Sequence, residues 1–220
     1  ANGLAAGKGV FLNQDIEKTK QALLEFLSGK FNSASKTCLI EERLFGFEVS
    51  LFSLWDGENL LHFPLCQDFK QNEKGENTGG LASICPVEID NKNELKLERY
   101  KKKLFNMLSK EKIKESAIIY SGLIVTKDDI YVLEYNVRFG DPETQSLMNY
   151  VEVDWLNLFF SQSAKMLDFI NLKENDKNNK NKIETTCIVM YSKGYPLKTK
   201  SNVEIKNIDE ILKNIQQENG

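Results

Sequence analysis

The sequence has a single histidine, His62, and four cysteines, Cys38, Cys66, Cys85 and Cys187, none in a C-x-x-C pair. A Ser-His-Asp or Cys-His mechanism would have to run through His62. That residue lies inside the apolar stretch NLLHFPL and reads as a core or edge imidazole. Widely spaced cysteines in apolar runs read as buried thiols of a reducing cytosol, not as a zinc site or a disulfide framework. No apolar run approaches the ~20 residues that span a bilayer, and no signal peptide opens the chain; the expected location is cytoplasmic. A net charge of −3 gives no reason to expect nucleic acid or an anionic membrane as partner. What is left is an ordinary balance, 41% hydrophobic and 28% charged, in 220 residues that can build one or two domains with a real core.

The pattern of residues predicts an α+β chain in which antiparallel hairpins dominate the middle. A glycine-rich loop, ANGLAAGKGVFL, leads to a helix capped by Asn13 or Asp15 and ending near Ser28, with Ile16, Leu23, Phe26 and Leu27 on its apolar side and Gly29 as its stop. TCLIEE and FEVSLFSLW read as strands, and DGEN before Leu60 as a hairpin turn. Gln67 to Pro86 reads as a long loop, and unstructured loops of that length are usually functional. A charged helix is expected from Asn93 to about Lys110, then a hairpin of SAIIYSGLIVT, the turn KDD and IYVLEYNVR. VDWLNLFFSQSAKMLDFI has helical periodicity, and KENDKNNKNK reads as a polar linker with nothing to bury. ETTCIVMY reads as a strand and NIDEILKNIQQ as a last helix.

Four stretches carry possible chemistry. GLAAGKG is not a Walker loop: the spacing is one residue short, and Gly9 follows Lys8 where a metal-binding hydroxyl belongs. It reads either as a flexible loop or as a phosphate cover, Gly7 and Gly9 permitting close approach and Lys8 adding charge. IEERLFGFE places Glu41, Glu42 and Glu48 around a Leu-Phe-Gly link, either as surface acids or as a nucleotide-gripping hinge. QDFKQNEKGENTGGLAS joins Gln67, Asp68 and Lys70 to the small-residue turn Thr78-Gly79-Gly80, where a ligand can approach main-chain N–H groups. The fourth, VLEYNVRFGDPETQ, reads as a buried strand with Glu134, Asn136 and Arg138 on one face and Leu133, Tyr135 and Val137 on the other. Neighbours two apart are roughly 6.6 Å from each other, so Glu134 and Asn136 can share one hard cation. Glu134 and Arg138, roughly 13 Å apart, are too distant for an easy ion pair.

In this order the motifs resemble the glycinamide ribonucleotide synthetase (phosphoribosylamine–glycine ligase) family of the ATP-grasp superfamily, over nearly all of Ala1 to about Ile170. The resemblance implies an ATP-grasp fold and ATP-dependent joining of glycine to 5-phosphoribosylamine through a glycyl phosphate, a step of purine biosynthesis. It implies that Lys8, Gly7 and Gly9 close over ATP phosphates, that Glu41, Glu42 and Glu48 hold adenine and ribose, and that Glu134 and Asn136 carry magnesium or manganese. Gln67, Asp68, Lys70, Thr78, Gly79, Gly80, Arg138 and Asp141 would face the two substrates, with Arg138, Asp68 and Lys70 catalytic. The implied segments are a small ATP-grasp subdomain in 1–44, a large one in 45–170, a linker in 171–182 and the start of a C-terminal domain in 183–220. The chain would then be a fragment of a longer protein, which in some family members is fused to other purine-pathway domains.

The sequence departs from the family pattern in places. The lysine expected just before Ala1 is absent, Asn2 replaces an aspartate, QDHKR is QDFKQ, and Glu76 stands where the family has proline. These departures leave two alternatives: an ATP-grasp ligase for another carboxylate and amine, or a nucleotide-binding domain without turnover.

Overall fold

The computed structural model describes residues 1–3, 9–12, 15–29, 37–71, 77–170, 172, 184–195, 199, 201–202, 204, 206–208 and 210. By internal contacts the chain divides into Ala1–Val189 and Met190–Gly220. The elements discussed below lie in the first unit.

Helix α1, Ile16–Leu27, starts where Asp15 accepts hydrogen bonds from the N–H groups of Glu17 and Lys18 (2.8 and 3.0 Å). It stops at Gly29, whose φ of +95° is a conformation glycine takes without steric cost. Its apolar stripe is narrower than expected: Ala22 and Phe26 are buried, whereas Ile16 and Leu27 face solvent. Residues 37–46, including the expected strand TCLIEE, form no strand. Asn13, Gly7, Lys8 and most of NIDEILKNIQQ lie outside the described residues.

Strand β1, Phe47–Trp55, turns through Asp56–Asn59 into β2, Leu60–His62, and β5, Ala117–Val125, turns into β6, Ile130–Asn136. These strands make one antiparallel sheet in the order β2-β1-β5-β6. The expected DGEN turn is held by the buried Asp56 carboxylate, which accepts from the N–H groups of Glu58, Asn59 and, 111 residues on, Leu167. Helix α2, Asn91–Lys110, capped by Asp90, covers one face of the sheet. Leu97, Tyr100, Leu104 and Leu108 pack there on Val49, Leu51, Trp55, Ile119, Leu123 and Val125. Full burial of each leucine stabilises the fold by about 1.5–3 kcal/mol. Lys96, buried on α2, donates to Asn93 Oδ1 and to the carbonyl of Lys127, fastening the helix to the β5–β6 turn.

The stretch expected to be a loop, Gln67 to Pro86, is instead mostly paired. Strands β3, Gln67–Gln71, and β4, Asn77–Cys85, join β7, Thr185–Ile188, in a second antiparallel sheet of order β3-β4-β7. Glycines and polar residues hid these strands because cross-strand pairing, not intrinsic propensity, holds them. The expected strand ETTCIVMY is present as β7, which belongs to the first unit through its pairing with β4. The two sheets meet at Ser50 and Cys66, which exchange both main-chain hydrogen bonds (2.7 and 2.9 Å).

Helix α3, Glu143–Tyr150, was not foreseen in the sequence, and α4, Trp155–Ser163, followed by a 3-10 turn at Leu167–Phe169, accounts for the periodic stretch after it. These helices close a second core on the other face of the first sheet, built on Phe52, Leu54, Phe63, Cys66, Cys85, Tyr120, Leu147 and Leu158. The expectation that the VLEYNVR strand is buried is overturned. β6 is an edge strand, and Leu133 and Tyr135 are each 45% exposed.

Candidate active site

Alternation along β1 sends Val49, Leu51 and Trp55 to the α2 face and Glu48, Ser50 and Phe52 to the opposite one. Opposite them on β5 stand Ile124, Gly122 and Tyr120. On β6 the register slips: Val132 pairs with Leu123, but Glu134 pairs with Gly122, leaving Leu133 as an extra residue. A bulge of this kind re-aims the side chains that follow it. Val132 keeps the register of the α2 face, while Glu134 and Asn136, opposite Gly122 and Tyr120, turn to the other side. Glu134 and Asn136 share one face by alternation, as expected, and the bulge decides that this is the face of Ser50 and not that of α2. Gly122 makes room for it, since a Cβ there would lie 3.1 Å from Glu134 Cγ.

Arg138 does not continue that face. The strand ends at Asn136, and the exposed guanidinium donates to the carbonyl of Phe139 (2.9 Å). Phe139 is the anchor of this turn, its ring in contact with Phe52, Phe63 and Phe159.

From the second sheet, Asp68 and Lys70 come to the same place. Their ion pair spans 3.3 Å, with the Asp68 side chain 5% and that of Lys70 38% exposed. Burial pulls the Lys70 ammonium down, but the carboxylates of Asp68, Glu48 and Glu134 outweigh it and hold the amine above the ordinary lysine value. Lys70 is thus a persistent cation ringed by acids from both sheets. Alternation on β3 puts Gln67 and the exposed Phe69 on the face away from Asp68. Gln67 is therefore not gathered with Asp68 and Lys70.

Thr78 Oγ1 donates to the carbonyl of Lys70 (2.8 Å) and accepts from the N–H of Gly80 (3.2 Å), tying the Thr-Gly-Gly turn to the lysine. Gly80, at φ +119°, lies against Asp141 and Pro142; a Cβ would meet Pro142 Cδ at 2.5 Å and the Asp141 carbonyl at 2.9 Å. Asp141 itself is exposed and accepts from Gln145 Nε2 (2.8 Å). Gly9 is buried, and Glu41 and Glu42 are exposed in the unpaired segment before β1.

Sequence reasoning missed three buried polar residues beneath this surface. Ser50 Oγ lies 3.1 Å from the Tyr120 hydroxyl and 3.2 Å from Glu143 Oε1. A serine hydroxyl has one proton to give. It is shared between the Glu143 carboxylate and the Tyr120 hydroxyl oxygen, which both accept from Ser50. Burial, then the charge of Asp68, raises the Glu143 pKa. Nothing local marks Ser50 or Tyr120; the only signal for Glu143 was its place in the polar run after Gly140.

The side chains of Glu134 and Asn136 make no hydrogen bond or ion pair among the described residues, so one carboxylate and one carboxamide oxygen remain available on the same face. That donor set suits magnesium, which takes hard oxygen ligands and is held by one or two carboxylates plus substrate phosphates. No group of three or more His, Cys, Asp and Glu side chains among the described residues forms an all-protein metal cage.

The family model for the phosphoribosylglycinamide synthetase ATP-grasp (A) domain matches residues 1–144. The phosphoribosylamine–glycine ligase of Caldanaerobacter subterraneus subsp. tengcongensis is 37% identical over 218 residues, which cover 96% of this chain and 51% of that protein. That of Vigna unguiculata is 34% identical over 96% of this chain and 68% of its own length. A trifunctional purine biosynthetic protein of Chironomus tentans is 35% identical over 96% of this chain and 16% of its own length. Among solved structures, the phosphoribosylamine–glycine ligase of Thermotoga maritima superposes with a TM-score of 0.67 at 26% identity, covering 90% of this chain and 50% of that one. The chain spans about half the length of the first of these relatives and has their ATP-grasp fold. With the two sheets, their meeting at Ser50 and the acid-ringed lysine in place, the chain belongs to the phosphoribosylglycinamide synthetase ATP-grasp domain family.

Proposed function

We propose that the protein containing this chain joins glycine to 5-phosphoribosylamine at the expense of ATP, giving glycinamide ribonucleotide, ADP and phosphate. Family membership and the names of the relatives support the reaction, and one observation supports the site: Lys70 and Asp68 from one sheet converge with Glu48 and Glu134 from the other. In the proposed reaction a glycine carboxylate oxygen attacks the γ-phosphorus as the bond to ADP breaks. The phosphoribosylamine nitrogen then attacks the acyl carbon, phosphate leaves, and the amine gives up a proton. Phosphoryl transfer asks a protein chiefly for placement and charge neutralisation.

Glu134 and Asn136 would hold magnesium or manganese, which when bound neutralises charge on the ATP phosphates. Glu48, with Glu41 and Glu42 upstream, would face the nucleoside, and Gly7, Lys8 and Gly9 would cover the phosphates. The Lys70 ammonium, kept charged by its acids, would face the transferred phosphoryl oxygens, and Asp68 would orient it. Thr78, Gly79 and Gly80 would let substrate approach the main chain closely beside Asp141, with the exposed Arg138 exchanging its bond to the Phe139 carbonyl for one to substrate. Gln67 shares the side of β3 that carries Phe69 and takes no part in this arrangement. Phe69 points away from Asp68 and so gives no support to a different acid substrate. Fusion to other purine-pathway activities would match the name of the Chironomus protein.

The test is ADP release by the full-length protein. Release should require both glycine and phosphoribosylamine, and Glu134→Ala should raise the KM for metal-bound ATP by about 10-fold or more. ADP release indifferent to both substrates would overturn the assignment.

A further inference from the structure

The groups of the candidate site stand on two sheets, so their spacing depends on whatever fixes one sheet against the other. The main-chain exchange between Ser50 and Cys66 is one fixture, two residues before Asp68. The second is built on Glu143. Glu143 is 2% exposed, and its carboxylate accepts from the Ser50 hydroxyl, which also donates to the Tyr120 hydroxyl oxygen. Both of those residues belong to the first sheet.

The main chain around Glu143 belongs to the other side of the junction. Ser83, on β4 opposite Asp68, donates to the carbonyl of Pro142 (2.8 Å) and shares a hydrogen bond with Ser146 one turn into α3 (2.8 Å). Thr185 on β7 donates to the carbonyl of Ser146 (2.6 Å). The carboxylate is folded so closely over Gly140 that a Cβ there would stand 2.6 Å from Oε2. An isolated carboxylate is costly to bury, and apolar volume could fill this space without that cost. Its location at the junction gives it a purpose that core filling does not.

We propose that Glu143 is the positioning residue that fixes the separation of the two sheets at the candidate site. Its carboxylate binds Ser50 on the first, and the turn and helix it opens are bonded to Ser83 and Thr185 on the second. It acts through Asp68 and Lys70 and touches no substrate. The effect on turnover rests on the function proposed above; the effect on the sheets does not.

The experiment therefore has two readouts on the full-length protein and its Glu143→Ala, Glu143→Gln and Ser50→Ala variants. Amide hydrogen exchange should quicken by about tenfold at Cys66–Lys70 and Gly80–Ser83 in Glu143→Ala and Ser50→Ala, with α2 unchanged. Glu143→Gln keeps an oxygen for Ser50 and should restore the parent pattern. In steady-state assays Glu143→Ala should lower kcat by about tenfold and leave the KM for ATP within about twofold. Exchange that is unchanged at β3, or faster everywhere alike, overturns the proposal, as does a Glu143→Gln variant no better than Glu143→Ala. A parent protein without glycine-dependent turnover sinks the proposed function alone, because the exchange pattern still decides the role of Glu143. Should Glu143→Ala not fold, Ser50→Ala removes the same bond from the opposite partner.

Discussion

His62, the lone imidazole, carries a signature that can be measured without knowing the substrate. Its Nδ1 lies 2.8 Å from Ser53 Oγ, and burial, then the charge of Lys101, holds its pKa down at about 4. The neutral ring is therefore favoured by the folded state. Above pH 6.5, the unfolded value, both states are neutral and this stabilisation is complete. As pH falls from there towards the folded value the unfolded chain gains a proton that the folded one refuses, and stability declines. The loss should be on the order of 2 kcal/mol between pH 7 and pH 4. Urea titrations at the two pH values check it, and His62→Gln should flatten that part of the dependence. An unchanged slope in the variant would assign the acid sensitivity elsewhere.

At the scale of elements, the junction of the Thr-Gly-Gly turn with the Asp141-Pro142 turn is the tightest approach at the site. Gly80→Ala combines a left-handed backbone with a Cβ 2.5 Å from Pro142 Cδ. It should cost about 2–3 kcal/mol of stability, read by urea unfolding. Elements with local signals were legible in the sequence: the cap and glycine stop of α1, the charged run of α2, the DGEN and KDD hairpins, and the run of α4. Those that depend on distant partners were not. β3 and β4 looked like loop because Gly79 and Gly80 weaken a strand's own preference, and pairing with distant strands makes up for it. α3 is a short helix after a proline, with no side-chain cap to announce it. The bulge at Leu133 has no local signature, although it aims the two residues the motif is about. Asp68, Lys70 and Glu134 were legible as chemistry, but their convergence from two sheets was not, nor was the support beneath them.

For the whole molecule, the core beneath α2 lies on the face of the first sheet opposite the candidate site. Leu104, 2% exposed between α2 and the sheet, touches nothing in the candidate site. Leu104→Ala should lower stability by about 2–4 kcal/mol, read by calorimetry or urea, while leaving the KM for ATP unchanged in the folded fraction. Among the described residues no helix is long and apolar enough to cross a membrane. The double hydrogen bond at Ser50 also limits how this body can move. With the Glu143 tie beside it, the two walls are joined along a short seam, as covers are joined at the spine of a book. Were that tie cut, rotation about the seam would displace the far edge most, so a small change at Ser50 is magnified between Lys70 and Glu134.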